Sequence, residues 1–541
     1  MNTRTDRRIR VATGIAAALL ALGFLLGGFV VLLAVSPQAP DFAALFSDAY
    51  IRAIVGFTLL QAGLSTLLSV LLAIPFAVAL HRARFPGKRL ILRLFLLPQA
   101  LPVLVGALAV ITIWGQSGVV SQGLTALGLP RLDVYGLSGI LIAHVFFNMP
   151  LAARLFVAAL DRVPTESWKL AGQLALPPLG VFRLVEWPAL RPALPGAAAL
   201  IFMLCVTSFT IVLVLGGGPA ATTLEVAVYQ ALRFDFDPSR AIGLSLIQIV
   251  LTALVLIATL ILGRDPAGGF GLGAKARRFD AASRVRDMSD ALIVTLGTLF
   301  VASPFAAVVV SGLAADLPRL LTETAVIDAA LTSLAVALAA ASLSVVVSTL
   351  VLLAIEALAQ GRRPGRLSRV TRRSLETATS LVLVVSPVIV GAGWFLALRQ
   401  VTDVLAAGPY VVVATNAVMA MPFIVRIVAP ALRQANAETG RLAESLGLTG
   451  LARLALLDLP AMRRPLALAF AFAAALSFGD LGAIALYGSN DFVTLPYLLL
   501  QRMGSYRTAD AAGLALLLGL IAIALMAVVE GGLAGRRRRP T

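Results

Sequence analysis

Apolar stretches of about 20 residues recur along the whole chain, the length at which a helix crosses the hydrocarbon core of a bilayer. Twelve such windows fit, near 11–35, 54–80, 90–114, 136–160, 193–216, 241–263, 289–314, 329–358, 378–398, 407–432, 466–487 and 512–534. A water-soluble domain carries about 25% charged residues, whereas this 541-residue chain has 13% charged and 59% hydrophobic residues. Its apolar surplus must therefore face lipid. Within lipid each backbone polar group needs an internal partner, which here points to helices. The expected fold is all-α and integral to the membrane, with twelve transmembrane helices. The first window follows Arg4, Arg7, Arg8 and Arg10 and could be taken for a secretory signal. Its 25 residues exceed the 7–15 of a signal's apolar region, so it reads as a retained span.

The net charge of +17 does not imply a nucleic-acid partner, because the basic residues form short clusters between apolar runs. Lys and Arg concentrate in cytoplasmic loops. With the N-terminus inside, 34 of the 44 fall on the cytoplasmic side, 8 opposite and 2 within spans, Arg154 and Arg426. Both termini are expected inside, in a bacterial inner membrane. A lone cysteine, Cys205, leaves no disulfide framework, and His81 and His144 are too few for a metal cage. No catalytic residue, cofactor or metal site is expected.

The chain also repeats itself at an offset of 272 residues, half its length. Met149/Met421, Pro150/Pro422, Arg154/Arg426, Leu160/Leu432, Glu166/Glu438, Leu170/Leu442, Ala171/Ala443, Leu174/Leu446, Pro188/Pro460 and Arg191/Arg463 coincide. Ser208-Phe209 recurs as Ser477-Phe478, and Thr223-Leu224 as Thr494-Leu495. Six spans return a chain to its starting side, so the halves are expected as parallel repeats with a pathway where they meet. The expected segments are the tail and first span (1–53), the first repeat (54–263), a Gly-, Pro- and Arg-rich linker (264–288), the seventh span and its loop (289–328), the second repeat (329–534) and a basic tail (535–541).

The repeated loop after the fourth span of each half carries the functional signal. Leu170, Ala171 and Leu174, like Leu442, Ala443 and Leu446, are spaced to share one face of a short helix suited to a partner's groove, or to lying on lipid. Ala175 and Gly447 each precede a proline, Pro188 and Pro460, by thirteen residues. This loop resembles the EAA loop of the permease subunits of binding-protein-dependent ABC importers. The resemblance implies the type I importer permease fold, a helix-turn-helix seated in a cleft of an ATPase subunit, and coupling residues at Glu166, Lys169, Leu170, Ala171, Leu174, Ala175 and Pro188, and at Glu438, Arg441, Leu442, Ala443, Leu446, Gly447 and Pro460. The family's glutamate falls at Lys169 and Arg441, its first alanine at Leu170 and Leu442, and its glycine at Ala175 in the first copy. No phosphate-binding loop is present: Lys88 follows Gly87, but Arg89 stands where Ser or Thr is needed. The expected partners are two copies of a cytoplasmic ATPase and a periplasmic binding protein.

Ile201–Ala241 and Phe478–Arg507 are closely similar to thiamine importer permeases of proteobacteria, with weaker likeness at Arg84–Arg93 and Pro102–Gly106. That resemblance implies thiamine or its phosphates as the small-molecule substrate. Ferric iron or another solute on the same class of permease is one alternative, and an ion-coupled secondary transporter is another. Ser208, Phe209, Ser477, Phe478 and Asp480 are candidate path residues, although Ser and Phe also serve as packing residues between helices. Asp480 stands in an apolar run, where it would meet a cationic substrate, pair with Arg154 or Arg426, or lie near the span's outer end. Trp114 and Trp394 read as interfacial anchors.

Overall fold

The computed structural model describes residues 3–35, 47–83, 85, 87–262, 284–359, 365–382 and 385–534. Linker residues 264–283 and the tail 535–541 lie outside them. Among the described residues there are helices and turns and no strand. The principal helices are α1 (Thr3–Val35), α2 (Ala49–Arg82), α3 (Val103–Trp114), α4 (Leu137–Leu160), α5 (Thr165–Gln173), α6 (Leu194–Val206), α7 (Thr210–Leu215), α8 (Leu224–Arg233) and α9 (Pro238–Leu262). They continue with α10 (Arg284–Leu313), α11 (Thr324–Ala359), α12 (Arg366–Leu381), α13 (Pro387–Leu398), α14 (Val404–Ser445), α15 (Leu459–Phe478), α16 (Gly482–Tyr487), α17 (Leu495–Gly504) and α18 (Thr508–Ala534).

Among the described residues, ten helices are long and apolar enough to cross a membrane. An eleventh span results if Pro178–Leu190 and Leu194–Val206, bent by 58°, count together. Twelve windows thus yield ten or eleven such helices, and the ninth shows why. Pro387 opens α13 at its first turn behind a Ser386 cap, leaving a helix of only 12 residues inside the 378–398 window. Proline suits a helix start and cannot donate within one.

The chain divides into two compact units, and neither is a contiguous half. One comprises residues 1–40, 228–243 and 316–541, the other 41–227 and 244–315. The leading helix α1 therefore packs with the second half. Its Phe24 carbonyl accepts from the Trp394 indole at 2.8 Å, the two rings stack at 5.3 Å, and Arg7 Nε donates to the Ala357 carbonyl at 2.9 Å. Trp394 is thus a helix-packing residue, a correction to its reading as an interfacial anchor. Conversely, α10 packs within the first-half unit. There Phe300 meets Trp114 at 6.1 Å and Phe305 meets Phe146 at 5.7 Å. Gly297 is required at this contact, since a Cβ there would stand 2.4 Å from the Phe76 ring.

The duplication is visible in local structure. Each half breaks its fifth-span segment after the Ser-Phe pair, between α6 and α7 and between α15 and α16. In each, a side-chain hydroxyl receives the N–H that opens the next ten-residue helix: Leu224 donates to Thr58 Oγ1 at 3.1 Å and Leu495 to Ser333 Oγ at 2.7 Å.

Candidate functional site

The two repeated loops are built alike in their second part and differently in their first. In the first copy Pro164 starts a separate nine-residue helix, α5. Asn436 occupies the matching position in the second copy, and α14 runs on unbroken to Ser445 as a 42-residue helix. The expectation of a separate short helix therefore holds once, because only the first copy has the proline that interrupts the preceding helix.

Both copies then reverse in the same way. Ala175 N–H bonds the Gly172 carbonyl and Leu176 N–H the Ala171 carbonyl, each at 3.1 Å, and in the second copy Leu448 N–H bonds the Ala443 carbonyl at 2.9 Å. This is the pattern that ends a helix through one left-handed residue. Ala175 has φ 45° and Gly447 φ 63°. A five-residue π-turn follows in each, Phe182–Glu186 and Leu454–Asp458, again 272 residues apart. Pro188 and Pro460 sit in the first turn of the next helix, where a missing N–H leaves no helical bond unmade.

The apolar face divides differently from the spacing argument. Leu170, Leu174, Leu442 and Leu446 are 56–64% exposed, whereas Ala171 and Ala443 are 2% and 1% exposed. Ala171 packs inward against Trp168 and Val181. The alanines are thus part of the loop's own core, and the leucines form the outward apolar surface. One residue of helix is 100° of rotation, enough to separate Leu170 from Ala171. Glu166, Lys169 and Glu438 also face outward, with Glu438 accepting from Gln434 Nε2 at 2.8 Å. The side chain of Arg441 lies outside the described residues.

Each loop is tied down by a buried acid at the end of its π-turn. Glu186 receives Arg82 Nε at 3.0 Å and Nη2 at 2.7 Å. Asp458 receives Arg10 Nη1 at 2.7 Å, with Arg453 Nε at 3.8 Å. The repeat places an acid at the same point twice, Glu186 and Asp458, and this was the signal in the sequence for an anchoring pair.

At the two breaks, Ser208 Oγ lies 2.9 Å from His144 Nε2, and Ser65 Oγ lies 2.8 Å from His144 Nδ1, so one imidazole joins α2, α4 and the α6–α7 break. Asn416, 272 residues beyond His144, donates to Ser477 Oγ at 2.9 Å. Phe209 and Phe478 are buried in packing. Asp480 accepts from the Gly482 N–H at 3.2 Å and the Ala483 N–H at 3.4 Å, capping α16. Among the described residues it makes no ion pair with Arg154 or Arg426. A charge on a helix N-terminus is stabilised by these donors, which gives this intramembrane acid a local partner.

Residues 69–266 match the family described as binding-protein-dependent transport system inner membrane component. The thiamine transport system permease protein of Brucella abortus (strain 2308) is 51% identical over 530 residues, covering 97% of this chain and 96% of the relative. Proteins of the same description from Escherichia coli K12 and Haemophilus influenzae Rd are 40% and 35% identical, over 96% and 90% of this chain and 95% and 90% of the relatives. The chain belongs to the thiamine transport system permease family. As such a permease it is a multi-pass inner-membrane protein, and the paired loops are elements of a transport subunit.

One consequence for this permease concerns the reversal at Ala175. An L-residue with a Cβ is strained in the left-handed region by about 1–2 kcal/mol, partly offset for glycine by its greater unfolded-state freedom. Ala175→Gly should therefore stabilise by about 0.5–1 kcal/mol, and Gly447→Ala should destabilise by a similar amount. Chemical unfolding of the two variants in detergent checks the pair. Equal and opposite signs are expected, and a destabilised Ala175→Gly would refute the argument.

Proposed function

We propose that this chain is the non-catalytic transmembrane subunit of a binding-protein-dependent ABC importer that moves thiamine, and its phosphates, into the cell by ATP-driven alternating access. The observation that carries the reading is identity of 51% over 97% of the chain to a thiamine transport system permease. In this reading the twelve apolar windows are twelve spans in two parallel six-span repeats, 54–263 and 329–534, each preceded by a leading span, with both termini cytoplasmic. The recurrence of the helix break, the left-handed reversal and the π-turn in both halves supports such a duplication.

Two ATPase copies would dock on the two cytoplasmic loops, one against Leu170 and Leu174 and one against Leu442 and Leu446. Glu166, Lys169, Glu438 and Arg441 would lie at the rim of these contacts. Ala171, Ala443, Ala175, Gly447, Pro188 and Pro460 would hold the loops in shape. The periplasmic binding protein would deliver substrate, with Ser208 and Ser477 at the helix breaks, Phe209 and Phe478 packed behind them, and Asp480 ordering the second break. No cofactor is needed in this chain, since the work of hydrolysis belongs to the ATPase.

The test is reconstitution in proteoliposomes with the candidate ATPase and binding protein and measurement of labelled thiamine uptake. Uptake that requires both partners and ATP is expected. ATP-dependent transport of another solute, ferric iron included, with none of thiamine would discard the substrate, and uptake independent of any ATPase would discard the importer reading for a secondary carrier.

A further inference from the structure

The first-half unit contains a cavity of about 860 Å³ between the end of α2, the segment that follows it, and the first half of α10. This is near the upper end of ligand-pocket volumes, about 300–1,000 Å³. Its chemistry is divided along its length. At one end stand Arg82, Arg286, Asp287 and Asp290, and beyond them the α10 wall is Val294, Thr298 and Leu299, continuing to Ala302. From Asp290 to Ala302 the helix rises about 18 Å at 1.5 Å per residue, close to the roughly 15 Å of one leaflet of a 30 Å hydrocarbon core. Leu292, Leu296 and Leu299 of the same helix are exposed, so this side of α10 faces lipid. Charged groups therefore lie at headgroup depth, and an apolar trough runs from them along the acyl region.

The charged end is balanced. Arg82 directs two nitrogens to Glu186, and its remaining nitrogen is 3.5 Å from Asp290. Arg286 Nε is 3.7 Å from Asp287. A mouth with two guanidinium groups and two carboxylates has no excess positive charge for a singly anionic headgroup, whose phosphate would face Asp287 and Asp290 without a counter-charge. A headgroup carrying both signs meets each in turn: the planar fork of Arg286 suits phosphate oxygens, and an ammonium suits the adjacent carboxylates.

We propose that this cavity binds one aminophospholipid of the inner leaflet, phosphate on Arg286, ammonium on Asp287 and Asp290, and an acyl chain along Val294, Thr298 and Leu299. The site rests on the topology proposed above, with residues 264–288 cytoplasmic. It would fasten α10 to the end of α2, whose Arg82 also anchors the first loop.

The experiment is native mass spectrometry of the purified, full-length permease equilibrated in micelles with equimolar phosphatidylethanolamine and phosphatidylglycerol. It needs neither ATPase nor substrate, so failure of the uptake assay leaves it readable. One retained phosphatidylethanolamine per chain is expected, in preference to phosphatidylglycerol. Arg286→Ala should lower its retention about tenfold, the loss of one charge-assisted contact, and Asp287→Asn with Asp290→Asn should reverse the headgroup preference. Thr298→Trp, which fills the trough and leaves every charge in place, should abolish retention with an unchanged thermal transition, and it decides the question if Arg286→Ala fails to fold. Retention without headgroup preference, preference for phosphatidylglycerol in the unaltered protein, or full retention by Thr298→Trp would overturn the proposal.

Discussion

Glu186→Ala is expected to destabilise the permease by about 3–5 kcal/mol, because it removes one partner of a buried ion pair and leaves the other charge uncompensated. Glu186 is 0% exposed and takes both Nε and Nη2 of Arg82. Asp290, at 3.5 Å from Arg82 Nη1, is too distant to replace that bidentate contact, though it draws the expectation toward the lower end of the range. Arg82→Met combined with Glu186→Met should recover most of the loss, since an apolar pair of similar volume removes both desolvation penalties together. The matching change in the other half, Asp458→Ala, should cost less, about 1–3 kcal/mol. Its Arg10 keeps Asp6 at 3.2 Å, and its Arg453 keeps Asn436 at 2.9 Å. Chemical unfolding in detergent of the three variants decides this. A Glu186→Ala protein as stable as the parent, or a double variant no better than the single one, would show that the pair does not hold the loop.

What could be read from the sequence follows the range over which each interaction acts. Helical class and duplication are carried by local composition and by residue identities at a fixed offset, and they were legible. The helix reversal was legible in part: Gly447 and Ala175 share a position, but a non-glycine there gives no hint of φ 45°. Which side of a nine-residue helix is inward depends on neighbours supplied elsewhere. Trp168 and Val181 bury Ala171 and turn Leu170 outward, and no spacing rule on the helix itself selects between faces 100° apart. The exchange of leading helices was hidden most deeply. Arg10 meets Asp458 across 448 residues, while the equivalent acid, Glu186, uses Arg82 at a separation of 104. Two equivalent acids thus find cations from unrelated parts of the chain, and nothing in the repeat signals that difference. His144 was weighed as a metal ligand, yet its position opposite Asn416 in the repeat marked it instead as a hydrogen-bonding partner for the serine at each helix break.

The division of the loop face fixes which substitution separates coupling from folding. Leu170→Asp with Leu442→Asp should leave the stability of the isolated permease within about 0.5 kcal/mol, the usual range for exposed positions, because both side chains are more than half exposed. In the proposed complex the same leucines are apolar anchors, and losing an anchor costs about 2 kcal/mol or more. With one in each loop the loss approaches 4 kcal/mol, roughly a thousandfold in the affinity for a pair of ATPases, and ATP-dependent uptake should fall to background. Ala171→Asp with Ala443→Asp should also abolish uptake, but by a different route: it places carboxylates in the loop's own core, where an unpaired buried charge is unfavourable, and the purified protein should unfold earlier. Measuring unfolding and uptake on both double variants therefore distinguishes a docking surface from a packing face. Leucine variants with unimpaired uptake would remove these residues from the coupling contact. Leucine variants as unstable as the alanine ones would mean that the exposed face is held by the permease itself.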